Sequence, residues 1–142
     1  MADCLFCGIV AGEVPAQLID SDEHTVAFMD INPATKGHAL VIPRAHAADL
    51  LEISDEDLEH CSVAARRLAL KMRQTLRPDG FNLINACGAA AWQTVFHFHI
   101  HVVPRYADDP LELPWVPTAG DPDEIAATAA QIRDDPKGGL TP

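Results

Sequence analysis

The segment His97-Phe98-His99-Ile100-His101-Val102-Val103-Pro104-Arg105 constrains this chain more than any other stretch. Successive side chains of a β-strand point to opposite faces, so alternation puts His97, His99 and His101 on one face and Phe96, Phe98, Ile100 and Val102 on the other. An apolar face of this kind has to be covered, which makes the segment a strand of a sheet buried on one side. The opposite face carries imidazoles, the side chains whose charge changes nearest neutral pH. A single histidine there reads as an ordinary solvent-face residue. Three in strict alternation, about 6 to 7 Å apart, read as the wall of a pocket.

The rest of the chain supplies the partners of that strand. Residues 17–20 and 25–29 read as a hairpin around Ser21-Asp22-Glu23-His24, residues 39–42 as a third strand stopped by Pro43, and residues 81–85 as a fourth. Ser54, with Asp57 three residues on, reads as the N-cap of a long helix running toward Arg77. Leu58, Cys61, Ala65, Leu68, Met72 and Leu76 recur at three- and four-residue steps and give it one buried stripe. Arg66, Arg67, Lys71 and Arg73 fall off the stripe and are expected to be solvated. Pro78-Asp79-Gly80 ends the helix, and residues 86–94, rich in small side chains, form a turn into the histidine strand. Further on, Leu113-Pro114-Trp115-Val116-Pro117 is expected to pack in an extended form and a last helix to start near Asp121-Pro122, before a loose tail over residues 134–142. The fold class is α+β: an antiparallel five-stranded sheet with one long helix and short terminal helices.

A length of 142 residues and a 48% hydrophobic composition suit one core, so residues 1–142 are expected to form a single domain. No apolar stretch approaches a bilayer span, and Met1-Ala2-Asp3-Cys4 lacks the basic region of a signal peptide, so a cytoplasmic protein is expected. A net charge of -11 opposes non-specific binding to nucleic acid or an anionic membrane. A small anionic ligand then requires local donors.

Residues 93–105, Q-T-V-F-H-F-H-I-H-V-V-P-R, resemble the signature of the histidine triad (HIT) family of nucleotide hydrolases and transferases. Asp30-Ile31-Asn32-Pro33, Lys36-Gly37-His38-Ala39-Leu40-Val41-Ile42-Pro43 and Asn85 fall where that family has matching elements, and Cys4-Leu5-Phe6-Cys7 resembles its zinc-containing bacterial branch. The resemblance implies a HIT-like fold and a homodimer paired through the long helix and the sheet edge. The transferase branch ends its motif in glutamine, so His101 points to the hydrolases. The activity implied by the resemblance is cleavage at the α-phosphate of a purine nucleotide conjugate, either a dinucleoside polyphosphate or a nucleoside phosphoramidate.

In that reading His99 attacks phosphorus and forms a covalent nucleotidyl-histidine that water later cleaves. His101 and Gln93 contact the phosphate, Thr94 serves the leaving group, and Asn85 belongs to the nucleotide site. Asp30 accepts from the ribose hydroxyls, and Phe6, Ile9, Phe28 and Ile31 form the slot around the base. Attack needs a neutral ring nitrogen, so the other nitrogen of His99 is expected to carry the proton and be held by an acceptor such as a backbone carbonyl. His38 is expected to hydrogen-bond behind the triad.

Cys4 and Cys7 have C-x-x-C spacing, half of a tetrahedral zinc site, and the resemblance supports His46 and His97 as the other half. Zinc so held is structural, with no position open to water, and no catalytic metal is expected. A short-range disulfide or two unpaired thiols are the competing readings. Cys61 reads as helix core, Cys87 as a small loop residue, and His24 and His60 as surface. Trp92 stands where the family has a small residue, and either narrows the phosphate end of the pocket or packs away from it. Two other functions remain: a metal-dependent hydrolase that uses the three histidines as ligands, and a non-catalytic nucleotide-binding protein.

Overall fold

The structure, a computed structural model, describes residues 3–134. From residue 135 on, the expected loose tail lies outside the described residues. The chain divides between Pro110 and Leu111 into two compact units. The first holds α1 (Leu5–Val10), β1 (Leu18–Ser21), β2 (Thr25–Met29), β3 (Ala39–Pro43), α2 (Asp55–Thr75), β4 (Gly80–Ile84), a 3-10 turn at Ala89–Ala91, and β5 (Ile100–Arg105). Its five strands form one sheet in the order β1-β2-β3-β5-β4, with every neighbouring pair antiparallel.

β2 and β3 are central, and both their faces are covered, which is why they read as continuous apolar runs. Ala27, Ala39, Val41, Phe98, Ile100 and Val102 pack against the α2 stripe of Cys61, Ala64, Ala65, Leu68 and Met72. On the other face Val26, Phe28, Leu40 and Ile42 pack against Phe6 and Ile9 of α1. The α2 start follows from its cap: Ser54 Oγ accepts from the Asp57 amide at 3.1 Å, and three acidic residues occupy the first turn. Its end comes at Thr75 rather than at Arg77. Arg77 adopts φ 52, and the amides of Leu76 and Arg77 both turn back to the Met72 carbonyl at 2.8 and 3.3 Å. Gly37, at φ 94, leaves room for this end, since a Cβ there would sit 2.5 Å from Leu76.

Three expectations need correction. The histidine strand begins at Ile100, not at His97. The last pair with β3 is Val41 with Ile100, and upstream of it the chain leaves the ladder to bond the loop beyond β3: the Phe98 amide donates to Ala47 O at 2.7 Å. The alternation survives from Phe98 onward, whereas Phe96 is 50% exposed and takes no part in the apolar face. Arg67 is not solvated off the stripe; it pairs with Asp20 and Asp22 of the β1–β2 hairpin, each at 2.8 Å.

The second unit contains α3 (Pro122–Arg133), opened by the Asp121 carboxylate accepting from the Asp123 amide at 2.8 Å. Leu113, Trp115 and Val116, expected to pack, are exposed. Pro114 and Pro117 lack the N–H that would let this stretch join a ladder.

Candidate active site

α1, β2 and the β5 entry enclose a cavity of about 440 Å³. Its apolar side is built from Phe6, Ile9, Phe28 and Leu40, and its polar end from Asp30, His38, Thr94, His99 and His101. Phe6 sets its ring edge-on to Phe28 and to His99, with centroids 5.3 and 5.2 Å away. Ile31 stands at the rim, 88% exposed. Among the described residues, no lysine or arginine lines this cavity.

The three histidines have different partners, and those partners fix their protons. A backbone carbonyl can only accept, so His99 Nδ1, 2.8 Å from His97 O, carries a hydrogen and leaves Nε2 as a bare lone pair. His97 bonds the Pro43 carbonyl through Nε2 at 2.9 Å, which leaves its Nδ1 as the lone pair. The proton of His101 is fixed through His38. The Ala34 amide donates to His38 Nδ1 at 3.0 Å, so the His38 proton is on Nε2, from which it is donated to His101 Nδ1 at 2.8 Å. His101 therefore keeps its proton on Nε2. His99 is left as an acceptor and His101 as a donor, although both come from the same alternating segment.

The electrostatics agree with neutral rings. Burial holds His99 below the ordinary histidine range, against the opposing pull of the His97 carbonyl and Asp30. Burial, with His99 and His38 adding to it, pushes His101 down to about 4. His38 is lowered by burial, opposed by Asp30, whose carboxylate lies 3.4 Å from its Nε2. Since the unfolded chain protonates His101 near 6.5 and the folded one only near about 4, the unfolded state binds more protons in that window. The His101 contribution to stability is thus present above about 6.5 and lost as pH falls toward about 4. Urea unfolding between these limits is expected to show stability falling with pH, and a shallower fall in His101→Asn; equal slopes would count against a buried neutral ring.

Two residues assigned to the nucleotide are turned elsewhere. Gln93 is buried and spends its amide on the backbone: Nε2 donates to Ala48 O and Val95 O at 2.8 and 3.0 Å, and Oε1 accepts from the Gly88 amide at 2.8 Å. It pins the 86–94 loop, and its polar atoms are not offered to the cavity. Asn85 donates from Nδ2 to His99 O at 2.9 Å, bracing the backbone of the triad, while its Oδ1 is buried without a partner. Thr94 does line the cavity. Trp92 does not: it is 74% exposed at φ 76, a conformation that glycine adopts without strain. The Ala34 amide, which orients His38, had no side-chain signal in the sequence.

Cys4, Cys7, His46 and His97 come together beside α1, their ligand atoms all within 4.8 Å of one another. Cys7 Sγ lies 3.3 Å from His46 Nδ1, and Cys4 Sγ and Cys7 Sγ each lie 3.5 Å from His97 Nδ1. The lone pair of His97 faces the two sulfurs, as a metal ligand requires. Burial raises the Cys7 thiol, and the neighbouring Cys4 raises it further, so a shared cation is what would hold both as thiolates. The four cysteines are free, so the short-range disulfide has no counterpart. Nor do His97, His99 and His101 converge on one ion: among the described residues, His97 groups with the cysteines and His101 with Asp30 and His38.

Residues 11–108 match the profile of the HIT domain family. An uncharacterised HIT-like protein of Mycoplasma genitalium is 44% identical over 105 residues, covering 74% of each chain. A zinc-bound histidine triad family protein of Mycobacterium smegmatis superposes with a TM-score of 0.76 at 39% identity, over 94% of this chain and 97% of that one. A histidine triad nucleotide-binding protein of Candida albicans superposes with a TM-score of 0.83 at 28% identity, over 94% and 96%.

Proposed function

Because the chain belongs to the HIT domain family, whose members bind or hydrolyse nucleotides, we propose that it is a nucleotide hydrolase acting at the α-phosphate through a covalent nucleotidyl-histidine. The observation that carries this reading is the opposed protonation of two neighbouring rings: His99 Nε2 bare, His101 Nε2 protonated. In the first step the His99 lone pair forms a bond to phosphorus and the bond to the leaving group breaks, its electron pair going to the leaving atom. The leaving atom takes up a proton from solvent water, and Thr94 Oγ1 donates a hydrogen bond to it. The imidazolium charge on His99 is held by its Nδ1–H bond to His97 O. His101 donates to a non-bridging oxygen. Water then attacks phosphorus and gives up a proton to solvent, the N–P bond breaks, and the pair returns to Nε2. Asp30 takes the ribose hydroxyls, the apolar side of the cavity takes the base, and residues up to Pro110 carry the chemistry as one domain.

A nucleoside phosphoramidate fits this cavity better than a dinucleoside polyphosphate. A second phosphate would meet no lysine or arginine among the described residues, and the groove continuing past Thr94 contains Asp3. The deciding experiment offers an adenosine phosphoramidate and a diadenosine polyphosphate and traps the enzyme by acid quench for mass spectrometry. The expected result is a nucleotidylated peptide containing His99 and faster turnover of the phosphoramidate; nucleotide binding with neither adduct nor turnover would establish the non-catalytic alternative.

The Cys4, Cys7, His46 and His97 donor set suits zinc, which would tie α1 to the catalytic segment with no open coordination position. A reducing, cytoplasmic setting would keep its thiolates available. Zinc content is expected to fall in Cys4→Ser; undiminished content would remove Cys4 from the set. A homodimer is supported by the β4 edge, where Leu83 and Ile84 are exposed, and by exposed Val63 and Leu70 one heptad apart on α2. No described helix is long and apolar enough to cross a membrane, and the net charge of -11 argues against a nucleic-acid partner.

A further inference from the structure

Away from the cavity, His24, Glu56 and His60 bring two imidazole nitrogens and a carboxylate oxygen within 4.8 Å of one another. His24 comes from the β1–β2 turn; Glu56 and His60 lie four residues apart on one face of α2. The rings are parallel, with centroids 3.8 Å apart and planes 10° apart. His60 Nε2 stands 3.7 Å from Glu56 Oε1, and His24 Nε2 stands 3.9 Å from Glu23 Oε2. Both separations exceed hydrogen-bond length, and neither ring hydrogen-bonds another described residue. These donors face one another without satisfying one another.

The arrangement is held by contacts that do not involve the rings. Asp22 Oδ1 accepts from the His24 and Thr25 amides at 2.8 and 2.7 Å, and the Arg44 amide donates to His24 O at 2.9 Å. Arg67, seven residues beyond His60 on α2, bonds Asp20 and Asp22 at 2.8 Å each. The hairpin turn is thereby fastened to the helix, and His24 is presented to His60 by the backbone.

We propose that His24, Glu56 and His60, with Glu23 at the rim, form a second metal site for a divalent first-row transition ion, separate from the cysteine cluster. Imidazole and carboxylate without thiolate suit zinc, copper or nickel, and two nitrogens argue against magnesium or calcium. Neighbouring ligands on tetrahedral zinc, with bonds of about 2.0–2.1 Å, lie about 3.3 Å apart. The His60–Glu56 gap has to close by only a few tenths of an ångström, and the rings have to fan open so that their lone pairs converge. Asp55, Glu56, Asp57 and Glu23 offset the positive end of the helix dipole. An ion bound there clips the hairpin to the start of α2 and keeps a coordination position open to solvent.

Equilibrium dialysis of the metal-free full chain against zinc chloride tests this. The His24→Gln/His60→Gln double variant is expected to bind one equivalent less than the unsubstituted protein, and the same deficit is expected in a Cys4→Ser/Cys7→Ser background. With cobalt as probe, the lost ion should carry no sulfur-to-cobalt charge-transfer band. Equal metal content, a lost band of thiolate type, or half-saturation only at millimolar zinc would each overturn the proposal. Glu56→Gln, which alters no ring, guards against misfolding: it should weaken this ion about tenfold while the metal-free protein still melts cooperatively, within a few degrees of the unsubstituted chain.

Discussion

His99→Ala is expected to lower turnover by about 10⁴-fold or more while nucleotide affinity stays within a few-fold of the unsubstituted value. Covalent catalysis splits one difficult displacement into two easier ones, and alanine removes the cavity-lining ring whose Nε2 is left bare. In the proposed site His101 and Thr94 would still hold the phosphate, and Phe6, Ile9, Phe28 and Asp30 the nucleoside, so binding is expected to survive the loss of chemistry. The backbone at residue 99 keeps its bond from Asn85 Nδ2. Single-turnover kinetics, a binding titration and intact-mass analysis after quench read the three consequences separately. Substantial turnover with an adduct elsewhere would end the nucleophile assignment; parallel loss of turnover and binding would make His99 a structural residue of the pocket.

The largest stability effect is expected from Phe98→Ala, about 3–5 kcal/mol. Phe98 is 1% exposed and sits in the cluster formed by the sheet and the α2 stripe, so truncation opens a cavity that a close-packed core cannot fill. Its amide bond to Ala47 O is untouched by the substitution. Phe96→Ala, at a position 50% exposed, is expected to cost less than about 1 kcal/mol. Urea denaturation of the two variants side by side measures where the alternating face begins. Equal destabilisation would place Phe96 on the buried face, as the sequence pattern alone suggests.

Much of the fold is legible in the sequence. Ser54 and Asp57 announce the start of α2, the three- and four-residue recurrence from Leu58 to Leu76 draws its buried stripe, and the runs at 25–29 and 39–42 read as strands because both their faces are buried. Errors cluster where a long-range contact overrides a local pattern. Arg67 reads as a solvated helix residue because nothing near it in sequence reveals Asp20 and Asp22, 47 and 45 residues away. Gln93 reads as a phosphate donor because its partners, Ala48 O and Gly88 N, are backbone groups that any residue type supplies. Strand start and strand pattern also part company: alternation marks side-chain direction, whereas the ladder depends on backbone partners, and before Ile100 the chain turns from β3 to the Ala47 carbonyl.

By itself the sequence determined that three histidines share one side of an extended segment, that the opposite side is apolar, and that C-x-x-C lies near the start of the chain. Those are consequences of period and spacing, which are local. Only the tertiary structure decided how each imidazole is held, because its partners set which of its nitrogens holds the proton. That depends on acceptors and donors placed by the folded backbone: Pro43 O turns His97 toward the cysteines, the Ala34 amide acting through His38 makes His101 a donor, and the His97 carbonyl, bonded to Nδ1 of His99, leaves Nε2 of that cavity-lining ring bare.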